Sequence, residues 1–139
     1  MGTRQNDQSS LWVAASELPK SPGHPFYTRL SAVLDAHNFD RFVEDLCRDF
    51  YAPVIGRPSL QPGRYFRLLL VGYFEGIDAE RGIAWRAADS LAVRGFVRLA
   101  LHEAAPDHST ISRTRRLIDV ETIAPCLHGY SSDWSRSAC

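Results

Sequence analysis

The spacing of apolar residues is the feature that most constrains the fold of this chain. Apolar side chains recur every three or four positions through most of its length, and proline or glycine separates one periodic segment from the next. That interval places apolar residues on one face of an α-helix. No segment alternates apolar and polar residues over the length of a strand, and no repeat of fixed period occurs. The pattern predicts an all-α fold, a compact bundle of about six helices.

Prolines and polar residues set the predicted start of the folded part. Residues 1–25 are expected to form a flexible, polar, proline-rich arm, because the prolines between Leu18 and Pro25 forbid a continuous helix. The helical domain is predicted to span 26–119, followed by an irregular tail over 120–139. Asn38 is the expected N-cap of the second helix. The apolar residues of the first two predicted helices are Phe26, Leu30, Val33 and Leu34, then Phe39, Phe42, Val43, Leu46 and Phe50.

The third predicted helix is the most apolar. Pro62 suits the first position of a helix, and from Arg64 to Phe74 apolar residues occupy almost every face. This composition predicts a central helix that is packed on all sides and ends at Gly76. Asp78 is the expected cap of a fourth helix that runs to about Asp89. A fifth helix, capped by Ser90, is predicted from the positions of Leu91, Phe96, Leu99 and Leu101.

Pro106 forces a turn before the last predicted helix, which runs to about Asp119. Asp107, Ser109 and Thr110 are all suitable caps, and the sequence leaves the choice among them open. At about 100° per residue, the apolar side of this helix consists of Ile111, Thr114, Leu117 and Ile118. The opposite side consists of Ser109, Ser112, Arg113 and Arg116, with Arg115 on the flank.

Charge is balanced over the whole chain but unevenly distributed. The sequence has 16 basic and 16 acidic residues, and a formal net charge of zero by itself disfavours a nucleic-acid-binding protein. Lys20 is the single lysine, so every other basic residue is arginine. Between Arg57 and Arg116 arginines outnumber acidic residues, so the middle of the chain is locally basic. A GC-rich coding sequence is the other explanation of such an arginine bias.

Other site chemistries find little support in the sequence. The cysteines are widely spaced with no C-x-x-C pair, so neither a disulfide framework nor a zinc knuckle is expected. His102 with His108, and Cys126 with His128, lack two further ligands at zinc spacing. Asp107 is better explained as a helix cap than as a catalytic acid. We expect no metal, no cofactor and no catalytic residue.

The sequence also bears on the cellular compartment. No apolar run approaches the roughly 18 residues that identify a membrane-spanning helix. The first ten residues are polar and lack the hydrophobic segment of a signal peptide. We therefore expect a cytoplasmic protein without membrane contact.

The arginine-bearing side of the last helix is the candidate DNA-binding element. Hydroxyl groups at a helix N-terminus can contact phosphate, and arginine can bind guanine through two hydrogen bonds. The preceding helix and the turn at Pro106 would complete a helix-turn-helix. Two arginines one turn apart on the core helix could also touch phosphate. The predicted DNA-binding residues are Ser109, Thr110, Ser112, Arg113, Arg115, Arg116, Arg64 and Arg67.

Each of these residues also has a simpler interpretation. The last helix fits a capped amphipathic helix with a solvated outer side, which many proteins contain. Arg64 and Arg67 fit a solvated edge of the core helix.

Several motifs occur in the order and at the spacing of a known family. They are R-P-S-L-Q-P-G-R-Y-F-R-L-L-L-V-G-Y-F-E-G-I (Arg57 to Ile77), D-A-E-R (Asp78 to Arg81), D-S-L-A-V-R-G-F (Asp89 to Phe96) and P-D-H-S-T-I-S-R-T-R-R-L-I (Pro106 to Ile118). Over roughly residues 11–122 the chain therefore resembles the N-terminal helical domain of DDE insertion-sequence transposases.

The resemblance implies a DNA-binding domain that recognises the terminal repeats of an insertion sequence, with duplex DNA as its partner. The alternative is a helical protein-interaction and multimerisation module of the same transposase, whose partner would be a second copy of the chain. Complete members continue into an RNase H-like domain whose Asp, Asp and Glu hold two divalent metals, and no residue of this chain matches those carboxylates. The resemblance therefore implies a truncated chain without strand-cleavage activity of its own.

After Thr122 the chain departs from the family. Complete members continue helically with His-Arg-Ala-Val or similar, whereas this chain continues from Ile123 to Cys126 as I-A-P-C. The two tetrapeptides are related by a shift of one base in the coding sequence, so a frameshifted tail is our hypothesis for 120–139. The absence of helical or strand periodicity in that segment agrees with it.

Overall fold

The helices follow the predicted order along the chain. The computed structural model describes residues 23–51 and 60–118, together with Ala14 and Ala124. They comprise α1 (Pro25–Ala36), α2 (Phe39–Cys47), α3 (Pro62–Glu75), α4 (Glu80–Asp89), α5 (Leu91–Phe96) and α6 (His108–Leu117), and a 3₁₀ turn at Arg48–Phe50 extends α2. No strand occurs within the described residues. The prediction of an all-α bundle is confirmed.

The two ends of the chain contribute little to this description. Most of the predicted arm (1–25) and of the predicted tail (120–139) lies outside the described residues, as do Cys126 and His128. The assignments of arm and tail therefore stay predictions.

α3 runs through the middle of the core. Its residues Tyr65, Leu68 and Val71 are fully buried, and it packs against α2 and α4. The expectation of burial on all sides fails in its last turn, where Tyr73 and Phe74 project from the core and are 80% and 47% exposed. Core residues from the other helices are Tyr27, Leu34, Phe39, Val43, Cys47, Ile83, Ala84, Ala87, Val93, Phe96 and Ile111.

The helix caps test the predictions residue by residue. Ser90 caps α5 as expected, because its side chain accepts a hydrogen bond from the helix backbone. Asn38 occupies the N-cap position of α2 as predicted, but its φ of 52° is left-handed and its side chain makes no capping bond. An N-cap side chain normally reaches the helix from an extended backbone. Asp78 is wrong, since α4 begins at Glu80 and Ala79 occupies the N-cap position.

α5 is shorter than predicted. A left-handed φ of 60° at Arg98 ends it, and the Leu99 amide bonds back to the Arg94 carbonyl at 2.9 Å. Leu99 is buried, whereas Leu101 is 57% exposed in the following connection. The Arg94 side chain donates to the Ala100 carbonyl at 2.7 Å, which fixes that connection, 97–107, against α5.

Gly72 permits the close approach of α4 to α3. A Cβ atom at this position would lie 2.7 Å from Cδ1 of Ile83 and 3.0 Å from the carbonyl oxygen of Ile77. Both distances are shorter than the roughly 3.5–4.0 Å at which carbon atoms pack favourably. The α3–α4 contact therefore depends on the missing side chain. Gly76, with φ of 67°, then ends α3 as predicted.

Arg67 lies at the centre of the fold with 1% of its surface exposed. Its Nε donates to Asp40 at 2.8 Å, and Nη2 donates to Asp35 at 2.8 Å. Its Nη1 donates to Ser31 and to the Phe96 carbonyl, both at 3.1 Å. The buried charge is thus paired and hydrogen-bonded, as such charges must be. This one side chain joins α3 to α1, α2 and α5.

Candidate nucleic-acid interface

α6 begins at an aspartate. The Oδ1 atom of Asp107 accepts hydrogen bonds from the backbone amides of Ser109 and Thr110 at 2.6 and 3.0 Å. The Ser109 hydroxyl also donates to Oδ1 at 2.6 Å, and these bonds hold the pKa of Asp107 below its usual range. Among the three cap candidates, Asp107 is therefore the N-cap. The Ser109 hydroxyl is already occupied by it.

The inner side of α6 largely matches the predicted apolar stripe. Ile111, Thr114 and Ile118 are buried, and the Thr114 hydroxyl is satisfied by the Thr110 carbonyl at 2.9 Å. Leu117 is the exception with 41% exposed surface, because it lies at the last position of the helix, to one side of the buried stripe. Burial of the stripe fixes which side of α6 faces away from the protein.

The outer face of α6, defined here as Ser109, Ser112, Arg113 and Arg116, points away from the core. Ser109, Arg113 and Arg116 are exposed and Ser112 is partly buried. Neither arginine has a hydrogen bond or ion pair with any of the described residues. Within the described part of the chain nothing occupies these two guanidinium groups, which lie on the exposed side of a capped helix.

Arg115 is placed differently from its two neighbours. Its Nη1 atom donates to Oε1 of Glu80, at the start of α4, at 3.0 Å. The Arg115 side chain is 61% exposed and that of Glu80 is 29% exposed. The hydrogen bond from Arg115 lowers the pKa of Glu80, so this carboxylate is ionised at neutral pH. Arg115 ties α6 to α4.

The surface position predicted for Arg67 is wrong, whereas Arg64 is partly exposed. Arg67 is enclosed by the carboxylates and carbonyl described above. Arg64 keeps 20% of its side chain exposed, but its guanidinium binds Glu103 at 2.6 Å and the Arg98 carbonyl at 2.7 Å. Both arginines are committed to intramolecular partners. The burial of Arg67 excludes it from contact with phosphate, whereas DNA contact by Arg64 stays a prediction.

The pairing of α6 with its neighbours also departs from a compact helix-turn-helix. In that motif about three or four residues join the two helices. Here the longer connection 97–107 separates α5 from α6, and α6 packs mainly against α4. The helix that presents the free arginines is therefore supported by α4 and not by the helix before it in sequence.

A cleft of about 280 Å³ lies beside this support, between α3, α4 and α6. Arg115, Glu80, Tyr65 and Tyr73 are among its lining residues. The Tyr65 hydroxyl is buried and has no hydrogen-bond partner among the described residues. Burial raises the pKa of Tyr65 to about 12, so the phenol stays protonated and adds no charge next to α6.

Sequence patterns gave no signal for Glu80 or Tyr65 as neighbours of α6. Glu80 meets Arg115 across 35 positions of sequence, and no helical periodicity connects residues that far apart. An acidic residue in the first turn of a helix, such as Glu80, is already explained by the helix dipole, so its sequence position does not indicate a distant partner.

No group of three or more His, Cys, Asp or Glu side chains among the described residues could hold a metal ion. Within the same residues, no helix is both long and apolar enough to cross a membrane.

These observations define the class of the protein: a small all-helical domain with a capped, arginine-bearing helix facing solvent. A family model described as a transposase domain, DUF772, matches residues 15–117. The match includes all six helices, and the chain belongs to this transposase-domain family. Comparisons with curated proteins and with solved structures gave no match.

Proposed function

We propose that this domain binds duplex DNA through the outer face of α6. The observation that carries the proposal is the pair of exposed arginines, Arg113 and Arg116, which have no partner among the described residues. Membership of a transposase-domain family supports a DNA partner. Thr110 and Ser112 lie near the start of the same helix and can add hydroxyl contacts to phosphate.

The physical basis is electrostatic. Arginines that neutralise phosphates release condensed counterions, so binding weakens as salt rises by about 0.9 log unit per contact for each tenfold change in salt. Two arginines give a small number of contacts. We therefore expect weak binding that is measurable at low salt and fades near physiological ionic strength.

We further propose that in a transposase this face contributes to recognition of the element's terminal repeats. An exposed arginine can bind guanine O6 and N7 through two hydrogen bonds in the major groove. Selection of bound duplexes from a random pool would test this role, with a recurrent guanine-containing motif as the expected result. A pool that stays random after selection would limit the role of α6 to phosphate contact.

The direct test is fluorescence anisotropy with a short labelled duplex at about 50 mM salt, where phosphate contacts are strong. Replacing Arg113 and Arg116 together by alanine should weaken binding and flatten the salt slope by about two units. The matched control replaces Arg29 and Arg41, which are exposed on α1 and α2 and equally without a partner among the described residues. It makes the same change in charge.

The control decides between a defined face and overall charge. We expect the Arg29→Ala/Arg41→Ala protein to keep the salt slope of the parent. Equal losses in the two double variants would refute a specific role for α6. Absence of binding by the parent at low salt would refute DNA binding by this domain.

A second candidate function is self-association, and exposed aromatic side chains favour it. Tyr73 is 80% exposed, Trp85 is 65% exposed, and Phe26 stacks edge-to-face on Phe74 at 4.9 Å between ring centroids. Exposed aromatic residues are common at protein interfaces. Sedimentation velocity over a range of concentrations would reveal a dimer, and Tyr73→Ser with Trp85→Ser should shift it toward monomer.

We also expect no strand cleavage by this chain, because the resemblance assigns that chemistry to a separate metal-binding domain. Supercoiled plasmid incubated with Mg²⁺ or Mn²⁺ should remain intact. Nicking that disappears on substitution of one of the chain's own carboxylates would contradict the expectation.

A further inference from the structure

The three arginines of α6 differ in one respect that bears on DNA affinity. Arg113 and Arg116 are free of ion pairs with the described residues, whereas Arg115 already has an anionic partner, Glu80, at 3.0 Å. The Glu80 carboxylate is ionised, and it sits on the helix that supports α6. An anion approaching Arg115 therefore meets a competitor that is part of the protein.

Because the Arg115–Glu80 ion pair is exposed to solvent, a DNA phosphate can replace the Glu80 carboxylate as the partner of Arg115. An ion pair between solvent-exposed side chains is weak, since water solvates both charges and holding them together costs side-chain entropy. With 61% of the Arg115 side chain exposed, the guanidinium can leave Glu80 without opening the core. Phosphate and carboxylate accept from arginine in a similar bidentate manner, so each can replace the other.

We propose that Glu80 limits the affinity of this domain for DNA by occupying Arg115 as a competitor of the phosphate backbone. This inference rests on the proposed DNA-binding function of α6. In the parent protein the outer face then presents two arginines to DNA. Removal of the Glu80 charge makes Arg115 the third.

The other charged groups near the Arg115–Glu80 pair, His108 and Asp78, leave the Glu80 carboxylate ionised. His108, at the start of α6, and Arg115 both act to lower the pKa of Glu80, and so favour the ionised carboxylate. Asp78, which lines the same cleft, adds a further negative charge on this side of α6. Neutralising Glu80 alone therefore changes the competitor without removing every acid from the region.

The test is the salt dependence of duplex binding by the Glu80→Gln protein. One additional phosphate contact should steepen the slope by about 0.9 unit and raise the affinity roughly tenfold at about 50 mM salt. Adding Arg115→Ala to Glu80→Gln should return the slope to the parent value, because the released side chain is then absent. Glu80→Ala, which also removes the hydrogen-bond acceptor, should steepen the slope at least as much.

Glu44→Gln provides the matched control. Glu44 is exposed on α2, which packs against α1 and α3, so the substitution removes one negative charge away from the α4–α6 contact. We expect the slope of this variant to equal that of the parent. The melting temperatures of all variants should stay within a few degrees of the parent, which confirms that the comparison is made between folded proteins.

Four outcomes would overturn the inference. An unchanged slope in both Glu80 variants would mean that Glu80 does not compete. Weaker binding would mean that Glu80 aligns Arg115 for DNA. An equal gain in Glu44→Gln would mean that only total charge matters. In these three cases the proposed function survives, provided that Arg113 and Arg116 still govern binding. If no variant binds duplex DNA, the proposed function and this inference fail together.

Discussion

The middle of α3 and the outer face of α6 use the same residue type in opposite ways. Arg67 is 1% exposed and has two carboxylates, a hydroxyl and a carbonyl as acceptors. Arg113 and Arg116 are exposed and have no partner among the described residues. A buried guanidinium with every donor directed inward joins helices, whereas an exposed one remains available to a ligand.

This contrast shows that an arginine's sequence context does not determine its role. Arg64 and Arg67 lie one turn apart in the first half of α3, a spacing that fits a solvated edge of the helix. The acceptors that bury Arg67 come from α1, α2 and α5, all distant in sequence. The two roles therefore predict opposite effects of substitution on stability and on DNA binding.

The largest effect should follow from replacing Arg67 by alanine. Breaking a buried ion pair by removing one partner typically costs about 3–5 kcal/mol, because the remaining charge is left buried. Asp35 and Asp40 keep a partner in Arg98, and their side chains are 49% and 22% exposed, so we expect the lower part of that range. Urea unfolding would measure it, with Arg29→Ala as the exposed-arginine control. A cost below about 1 kcal/mol would break the distinction between the two classes of arginine.

Gly72→Ala tests how tightly α4 packs against α3. The added methyl group would lie 2.7 Å from Cδ1 of Ile83 and 3.0 Å from the carbonyl oxygen of Ile77, so the Ile83 side chain and the backbone beside it must move apart. Overpacking of this kind costs about 1–3 kcal/mol. Gly95→Ala is the matched control, because nothing lies within 4 Å of its added Cβ. Chemical unfolding should show a loss for Gly72→Ala and no loss for Gly95→Ala.

Sequence reasoning recovered the features of this fold that depend on near neighbours. Helical spacing located every helix, and the turn-forming Gly76 and the cap at Ser90 follow from local preferences. Prediction from the sequence failed for features that depend on contacts between residues far apart in the chain. Asn38 was correctly placed at the N-cap of α2, but its left-handed backbone in the tight α1–α2 turn, which leaves its side chain without a capping bond, was not predicted.

In the candidate nucleic-acid interface, too, local features could be predicted from the sequence and tertiary contacts could not. The inner and outer sides of α6 follow from the rotation per residue, and only Leu117 departs from that assignment. The ion pair of Arg115 and the burial of Arg67 could not be predicted, because both depend on tertiary contacts that no local pattern encodes.

A smaller effect is expected from the cap that orients α6. Asp107→Ala removes the acceptor of two backbone amides and should lower the melting temperature by a few degrees. Asp107→Asn is the control, since asparagine caps helices about as well as aspartate. An equal loss in both variants would assign the effect to charge instead of capping.

The pH dependence of that effect has a definite sign. The pKa of Asp107 is lowered in the folded protein by the hydrogen bond from the Ser109 hydroxyl and by those from the backbone. Its charge therefore stabilises the fold above the unfolded-state pKa of about 3.9, and the benefit is lost as the pH falls through the folded-state value. The difference in melting temperature between the parent and Asp107→Ala should shrink over that acid range, whereas the difference between Asp107→Asn and Asp107→Ala should not follow this titration.

The smallest effect on stability should come from the residues with the largest proposed effect on DNA. Replacing Arg113 and Arg116 by alanine removes no hydrogen bond or ion pair with the described residues and leaves the buried side of α6 intact. Alanine is also a good helix former, so we expect each substitution to change the unfolding free energy by no more than about 0.5 kcal/mol. Arg116 lies in the last turn, where a positive charge favours the helix dipole, and it should account for most of any loss. Urea unfolding of the two single variants would measure this. A loss as large as that of Arg67→Ala would mean that the outer face of α6 is structural, and its effect on DNA binding would then require a different explanation.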